Sequence, residues 1–429
     1  MKGDSTDSTD STDSSMQASI ENEADVEVLS ISKTPKNRRR TAIAMLALAL
    51  IIIAGAFAGW YWWNNYRHFT VEVNHSAIQT TGRQTLRDVL GEHGNFGKKP
   101  GKLLSFSGKT LESTGGSAIS VRQNDVAISD AGLDTTHLRQ GDTITVENGK
   151  DTTESHTVHE KDIPFDASIT TGGAIQFVAQ QGRVGRQEYW VGVTSGEKVD
   201  KKVIRPASEL KIDSISPKVP ADKKVIALTF DDGPSSFSAP ILQILKDKGA
   251  KATFFDIGKQ SAELPQMERQ MIADGNQVAS HSNTHPDLST LGRDALRAEL
   301  SAGFSAISSA SDTQSRMLRA PYGAFSKQNW IDCSDMVSSN LLWTIDTLDW
   351  KRPGEQEIKQ QVLDHAYSGA IVLMHDGGGD RTEDVKVLPS IIDALHQQGY
   401  QFVTINELMK MDGRFPDWVL NNQIAPESK

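Results

Sequence analysis

From residue 225 onward the chain alternates short apolar runs with stretches of helical spacing, and few architectures accommodate that rhythm. Strands are predicted at 225–230, 252–257, 277–280, 317–319, 341–345, 370–374 and 401–405. Helices are predicted between them at 239–248, with Ser238 as N-cap, near 264–274, and at 293–308, 327–337, 355–366 and 385–397. Such alternation means parallel strands joined by helical crossovers, an α/β class, and about seven repeats predict a barrel. In barrels of this kind chemistry sits at the carboxy ends of the strands, so function is sought in the residues just after each strand.

The preceding half of the chain reads differently. Residues 1–40 open with an Asp-Ser-Thr repeat from Asp4 to Asp13, too poor in large apolar side chains to repay their ordering entropy, and are expected to form a disordered tail. Lys33, Lys36, Arg38, Arg39 and Arg40 precede an uncharged apolar run, residues 41–63, that ends in Trp60, Tyr61, Trp62 and Trp63. At about 1.5 Å per residue the run is long enough to span the hydrocarbon core of a bilayer, and its aromatic end suits the interface. The basic side belongs in the cytoplasm by the positive-inside rule, so the rest of the chain is expected outside the cell membrane. A cleavable signal peptide is the competing reading, since Ala54-Gly55-Ala56 resembles a cleavage site, but the leading segment and the apolar run are both too long for one.

Residues 70–150 alternate short strands with one helix, a small α+β module, and residues 151–213 form a β-rich module. Pro217 and Pro220 mark a linker at 214–222, which sets the last domain at 223–410 and a C-terminal tail at 411–429. A net charge of −10 argues against nucleic acid as a partner. The single cysteine, Cys333, lies among Trp330, Ile331 and Met336 and reads as a buried small hydrophobe, not a nucleophile.

Two adjacent carboxylates, Asp231 and Asp232, leave the strand 225–230, with Gly233 and Pro234 immediately after them. A turn there lets both face one crevice, an arrangement that is costly without a cation or a proton. An acidic turn would account for these four residues by themselves, but not for the side chains placed after the later strands. His281 and His285, at i and i+4 after the strand 277–280, meet on one face of a helical turn. With Asp232 they make a two-His, one-carboxylate set with open positions, which suits a catalytic metal and leaves Asp231 for proton transfer. Arg319 comes at the end of a further strand and either pairs within the core or holds a carboxylate ionised. Trp350 stands beside Asp349 as packing or as a pocket wall. His375 ends the strand 370–374, where a proton donor would complete the site.

Together Thr229-Phe230-Asp231-Asp232-Gly233-Pro234, His281-Ser282-Asn283-Thr284-His285, Arg319-Ala320-Pro321-Tyr322, Asp346-Thr347-Leu348-Asp349-Trp350 and Leu373-Met374-His375 resemble the five motifs of the polysaccharide deacetylase family, the fourth carbohydrate esterase family with its NodB-homology domain. The resemblance covers about residues 223–408 and implies a distorted (β/α)7-type barrel. It implies Asp231 as general base, His375 as general acid, Arg319 and Asp349 as the residues that orient them, and the Tyr322 N–H in an oxyanion hole. Asp232, His281 and His285 would hold a divalent metal, Zn2+ foremost, with Co2+ or Mn2+ as alternatives. Pro321, Tyr322, Trp350 and Leu373 would contact the substrate. The implied reaction is N-deacetylation of N-acetylglucosamine with release of acetate. Peptidoglycan is the expected partner, and poly-N-acetylglucosamine, chitin or O-acetylated xylan are the alternatives. A catalytically idle, wall-binding surface protein is the reading of a different class. The glycines and strand patches of residues 151–213 resemble the wall-associated G-five module, which implies wall adhesion; a spacer is the competing reading.

Overall fold

The computed structural model describes residues 36–427, so the Ser/Thr/Asp-rich repeat lies outside the described residues. The described residues divide into two compact units, those up to 103 with 112–152, and 104–111 with those from 153 onward. In the first, helix Lys36–Tyr66 contains the segment Arg40–Tyr66, whose 27 residues are by length and composition enough to cross a membrane. The same unit holds a five-stranded sheet in the order Ser76–Thr81, His68–Val73, Thr143–Glu147, Ser120–Gln123, Val126–Ile128. Helix Leu86–Glu92 starts at a capping box between Thr85 and Asp88 and buries Leu86, Val89 and Leu90 against Val71, Val73, Val121, Ile144 and Val146 of that sheet.

The second unit is built on an eleven-stranded sheet. Seven consecutive members run parallel, in the order Ser339–Leu341, Met317–Leu318, Gln277–Ser280, Ala252–Asp256, Val225–Gly233, Ala370–His375, Ile345–Asp346. Every residue of Val225–Phe230 and of Ala252–Asp256 is buried, as both faces of a helix-covered parallel sheet require. The strand expected at 341–345 is in fact two, Ser339–Leu341 and Ile345–Asp346, and they occupy opposite ends of the seven-strand path. Only residues 342–344 join them, and so short a link reaches no more than about 14 Å. The sheet must therefore curl until its two edges nearly meet, closed by the chain where the hydrogen-bonded ladder stays open.

The sheet also extends beyond the expected start of this domain. Strand Ile175–Gln180 pairs antiparallel with Ser339–Leu341, and Leu210–Ile215 and Ala167–Ile169 continue the sheet outward. Ile175, Phe177, Val178, Leu210 and Ile212 are buried, packed among Leu341, Met317, Leu318 and Trp330. Three strands of the segment read as a separate β-rich module thus cover an edge that would otherwise expose unpaired backbone. Three further strands of that segment form their own antiparallel sheet, Lys198–Arg205, Gly185–Gly192 and His156–Ile163. Cys333 is buried, as its neighbours predict.

Candidate active site

Asp231 and Asp232 lie at the carboxy end of strand Val225–Gly233, which is flanked on both sides within the parallel sheet. Strand neighbours ordinarily point to opposite faces, but here the register slips between Asp231 and Gly233, and Asp232 takes a left-handed φ of 71°. Both carboxylates consequently line one cavity of about 520 Å³ together with His281, His285 and His375. The loop after His375 is moulded to Asp232: a Cβ on Gly377 would lie 1.8 Å from its carbonyl oxygen, and one on Gly378 would lie 2.2 Å from its Oδ2.

Arg319 is fully buried beneath the cavity. One Nη1 donates to Asp231 Oδ1 (2.7 Å) and Thr229 Oγ1 (2.8 Å), Nε donates to Leu341 O and Nη2 to Leu342 O (3.2 Å each). The guanidinium carbon also lies 4.0 Å from the centre of the Phe255 ring. Burial raises the Asp231 pKa above the ordinary carboxylate range, and the charge and hydrogen bond of Arg319 oppose it.

His375 is the register partner of Asp231 on the adjacent strand. Its Nδ1 lies 2.8 Å from Asp349 Oδ1, its backbone N–H donates to Asp349 Oδ2 at 2.7 Å, and Trp350 N–H donates to Asp349 Oδ1 at 2.9 Å. Burial lowers the His375 pKa, yet the hydrogen bond and charge of Asp349 outweigh it and hold the value above the usual imidazole range. With Nδ1 engaged, Nε2 is the nitrogen left to exchange a proton with a substrate.

Three acceptors face one another across the cavity from this pair. His285 Nε2 lies 3.2 Å and His281 Nε2 3.5 Å from Asp232 Oδ1, a buried oxygen with no hydrogen-bond donor. His281 Nδ1 stands 2.7 Å from the carbonyl of Arg319, which assigns its proton to Nδ1 and a lone pair to Nε2. Burial, above all, pushes the His281 pKa down to about 3, so the ring is neutral. Two imidazole lone pairs around an orphaned carboxylate oxygen, all within 4.8 Å, fit a divalent cation.

The model of the polysaccharide deacetylase family matches residues 218–336, which supply part of this site, among them Asp231, Asp232, His281, His285 and Arg319. The chain is 36% identical over 187 residues to a chitooligosaccharide deacetylase of Sinorhizobium fredii, spanning 41% of this chain and 87% of that protein. It belongs to the polysaccharide deacetylase family. It is also 33% identical to a peptidoglycan-N-acetylglucosamine deacetylase of Bacillus cereus, across 45% of this chain and 91% of that one. A peptidoglycan-N-acetylglucosamine deacetylase of Listeria monocytogenes is 36% identical over 47% of this chain and 42% of its own length. The protein is accordingly a hydrolase, a polysaccharide deacetylase.

The remaining candidate residues of the deacetylase are distributed unequally. Tyr322 and Trp350 stand at the cavity with 69% and 50% of their surface exposed, and Leu373 lines it from within. Tyr322 has a φ of 60° and turns its ring edge-on to His285, 4.8 Å between centres. Pro321 is buried and does not line the cavity, although Ala320 and Tyr322 on either side do. Asp349 is buried behind His375. Ser238, expected as an N-cap, instead begins helix Ser238–Asp247 and donates its hydroxyl to Asp376.

Sequence reasoning passed over Trp343 and Arg381 and gave no role to Asp346 of the fourth motif; all three also line the cavity. It passed over Asp384 as well, in the first turn of helix Thr382–Gln397. Asp384 is buried next to Asp349, whose oxygens already accept from His375 and Trp350, and of the two carboxyls it is Asp384 that holds a proton. Burial and the Asp349 charge push its pKa up to about 9. An acidic residue in a helix's first turn is so ordinary that nothing in the sequence sets this one apart.

Proposed function

We propose that this deacetylase removes the acetyl group from N-acetylglucosamine residues of peptidoglycan, working on the outer face of the membrane to which its N-terminal helix anchors it. The observation that carries the reading is one cavity in which Asp231, oriented by Arg319, and His375, oriented by Asp349, stand on adjacent strand ends beside the Asp232, His281 and His285 cluster. The relatives named as peptidoglycan-N-acetylglucosamine deacetylases support the sugar. The membrane-length helix with Lys33, Lys36 and Arg38–Arg40 on its N-terminal side supports the wall as the polymer within reach.

Asp231 takes the proton of the attacking water. A buried carboxylate with a raised pKa is a stronger base than a solvated one, and Arg319 keeps it ionisable. His375 holds a proton on Nε2 for the departing amine, and the Asp349 charge keeps that proton in place until the carbon–nitrogen bond breaks. The left-handed turn at Tyr322 offers its N–H to the developing oxyanion. Trp350 and Leu373 enclose the acetyl methyl, and Pro321 stiffens the turn behind Tyr322. Asp232, His281 and His285 would hold the divalent ion, Zn2+ by ligand type, which supplies Lewis-acid chemistry to the acetamide carbonyl and the attacking water.

The test is acetate release by the zinc-loaded full chain in detergent, with purified peptidoglycan, chitin oligomers and acetylated xylan offered separately. Release from peptidoglycan, abolished by a chelator, is the expected outcome. Release from another polymer alone would keep the chemistry and replace the substrate, and silence on all three with metal bound would replace the reading by wall binding.

A further inference from the structure

Between the two imidazoles, the loop of residues 282–284 is tied down by a side chain that belongs to none of the motifs. Glu299 projects half-buried from helix Arg293–Ser311. Its Oε1 accepts from the backbone N–H of Asn283 (2.8 Å) and of Thr284 (2.5 Å), and both carboxylate oxygens accept from Thr284 Oγ1 (3.1 Å each). The loop needs this restraint, because Ser282 and His285 at its ends hold φ of 69° and 61°, a region that side chains other than glycine rarely adopt. The loop carbonyls are held from another side, Ser282 O by Gly258 N–H and Asn283 O by Lys259 N–H (3.0 Å each). Helix Arg293–Ser311 also approaches closely at Gly303, where an added Cβ would stand 2.8 Å from the Ser282 carbonyl carbon. Of the three amides that lie between His281 and His285, that of Ser282 donates to Ser280 Oγ (3.2 Å), and Glu299 takes up the other two.

We propose that Glu299 is a positioning residue that sets the separation of the His281 and His285 imidazoles and thereby the affinity of their site for a divalent cation. The proposal rests on Asp232, His281 and His285 being the metal-holding set. Partners that orient metal ligands typically govern metal affinity about 10–100-fold, and here one carboxylate restrains the segment bearing two ligands.

The experiment titrates Zn2+ into the metal-stripped full chain in detergent against a chromophoric chelator, for wild type, Glu299→Ala, Glu299→Asp and Glu299→Gln. Glu299→Ala and Glu299→Asp should weaken zinc binding about 10–100-fold at a temperature where the metal-free variant is still folded, whatever the shift of its melting midpoint. Glu299→Gln, which keeps an oxygen for both amides, should restore most of the affinity. A merely structural role would lower the metal-free melting midpoint and leave the zinc affinity of the folded protein untouched. Should Glu299→Ala fail to fold, Glu299→Asp decides, since it keeps the charge and only withdraws the carboxylate. Tight zinc binding by wild type with no change in Glu299→Ala or Glu299→Asp overturns the role of Glu299 alone. Absence of zinc binding by wild type overturns the ligand set, and this proposal with it.

Discussion

Replacing Arg319 by methionine keeps the bulk of the side chain and removes its charge, which isolates what the guanidinium does for Asp231. Both partners are buried, Arg319 at 0% and Asp231 at 3% exposure, so bulk water compensates little for the lost contact. Thr229 Oγ1 and the carbonyls of Leu341 and Leu342 lose their donor in the same step. Breaking a buried ion pair from one side costs about 3–5 kcal/mol. At about 2–4 °C per kcal/mol for a unit of this size, the melting midpoint of the metal-free protein should fall by roughly 6–20 °C. The sign of its pH dependence is set by Asp231, whose folded pKa burial already raises and which rises further once Arg319 no longer opposes it. A group with a raised folded pKa keeps its full stability below the unfolded value, about 3.9, and loses it as pH climbs through the folded one. The deficit should therefore be smallest in acidic buffer and largest at neutral pH and above. The double variant Arg319→Met/Asp231→Asn, which removes the stranded charge, should recover part of the loss at neutral pH. Calorimetric melts of the three proteins at acidic and neutral pH measure this. A single variant that melts with wild type, or a double variant no more stable than the single, would refute the argument that Arg319 is there to hold a buried charge.

Asp232→Ala or His281→Ala should abolish stoichiometric zinc binding in metal analysis of the purified protein. His375→Ala should retain the metal and lower kcat for acetate release about 10²–10⁴-fold, and normal turnover by that variant would remove His375 from the reaction. Asp349→Asn leaves burial as the main influence on His375, so its pKa should fall and the alkaline limb of the kcat profile should move to lower pH. A limb that stays in place would show that the limb belongs to another group.

The residues proposed for catalysis were legible because each motif sits directly after a strand, where a parallel α/β sheet collects its loops on one edge. Asp231, Asp232, His281, His285 and His375 needed only that rule to be placed together, and the cavity brings them together. Glu299 and Asp384 were not legible, since each acts on a loop 15 or more residues away along the chain and neither residue type is unusual on a helix surface. Gly377 and Gly378 matter through clearances to Asp232 that no spacing announces. The strands Ile175–Gln180 and Leu210–Ile215 read as a module of their own because a linker with two prolines separates them from residue 223 onward; only the pairing of Ile175 with Leu341 assigns them to the larger sheet.

The misread strand at 341–345 shows how a departure from regular pattern can be what the site depends on. Apolar residues run through 341–343, so periodicity alone gives one buried strand. A continuous strand there would lie at one end of the seven parallel strands and leave the other end unpaired. Splitting it sends residues 345–346 to pair with Ala370–His375 while residues 339–341 pair with Met317–Leu318. The break curls the sheet, and it leaves the carbonyls of Leu341 and Leu342 to accept from Arg319 Nε and Nη2. Buried carbonyls released from a ladder require donors, and a buried guanidinium requires acceptors beyond its one carboxylate. Each supplies the other, so the irregularity that closes the sheet also fixes the guanidinium beneath Asp231. The second half of the split strand then leads within three residues to Asp349, which orients His375. Base and acid are thus both anchored to the same interruption of the sheet.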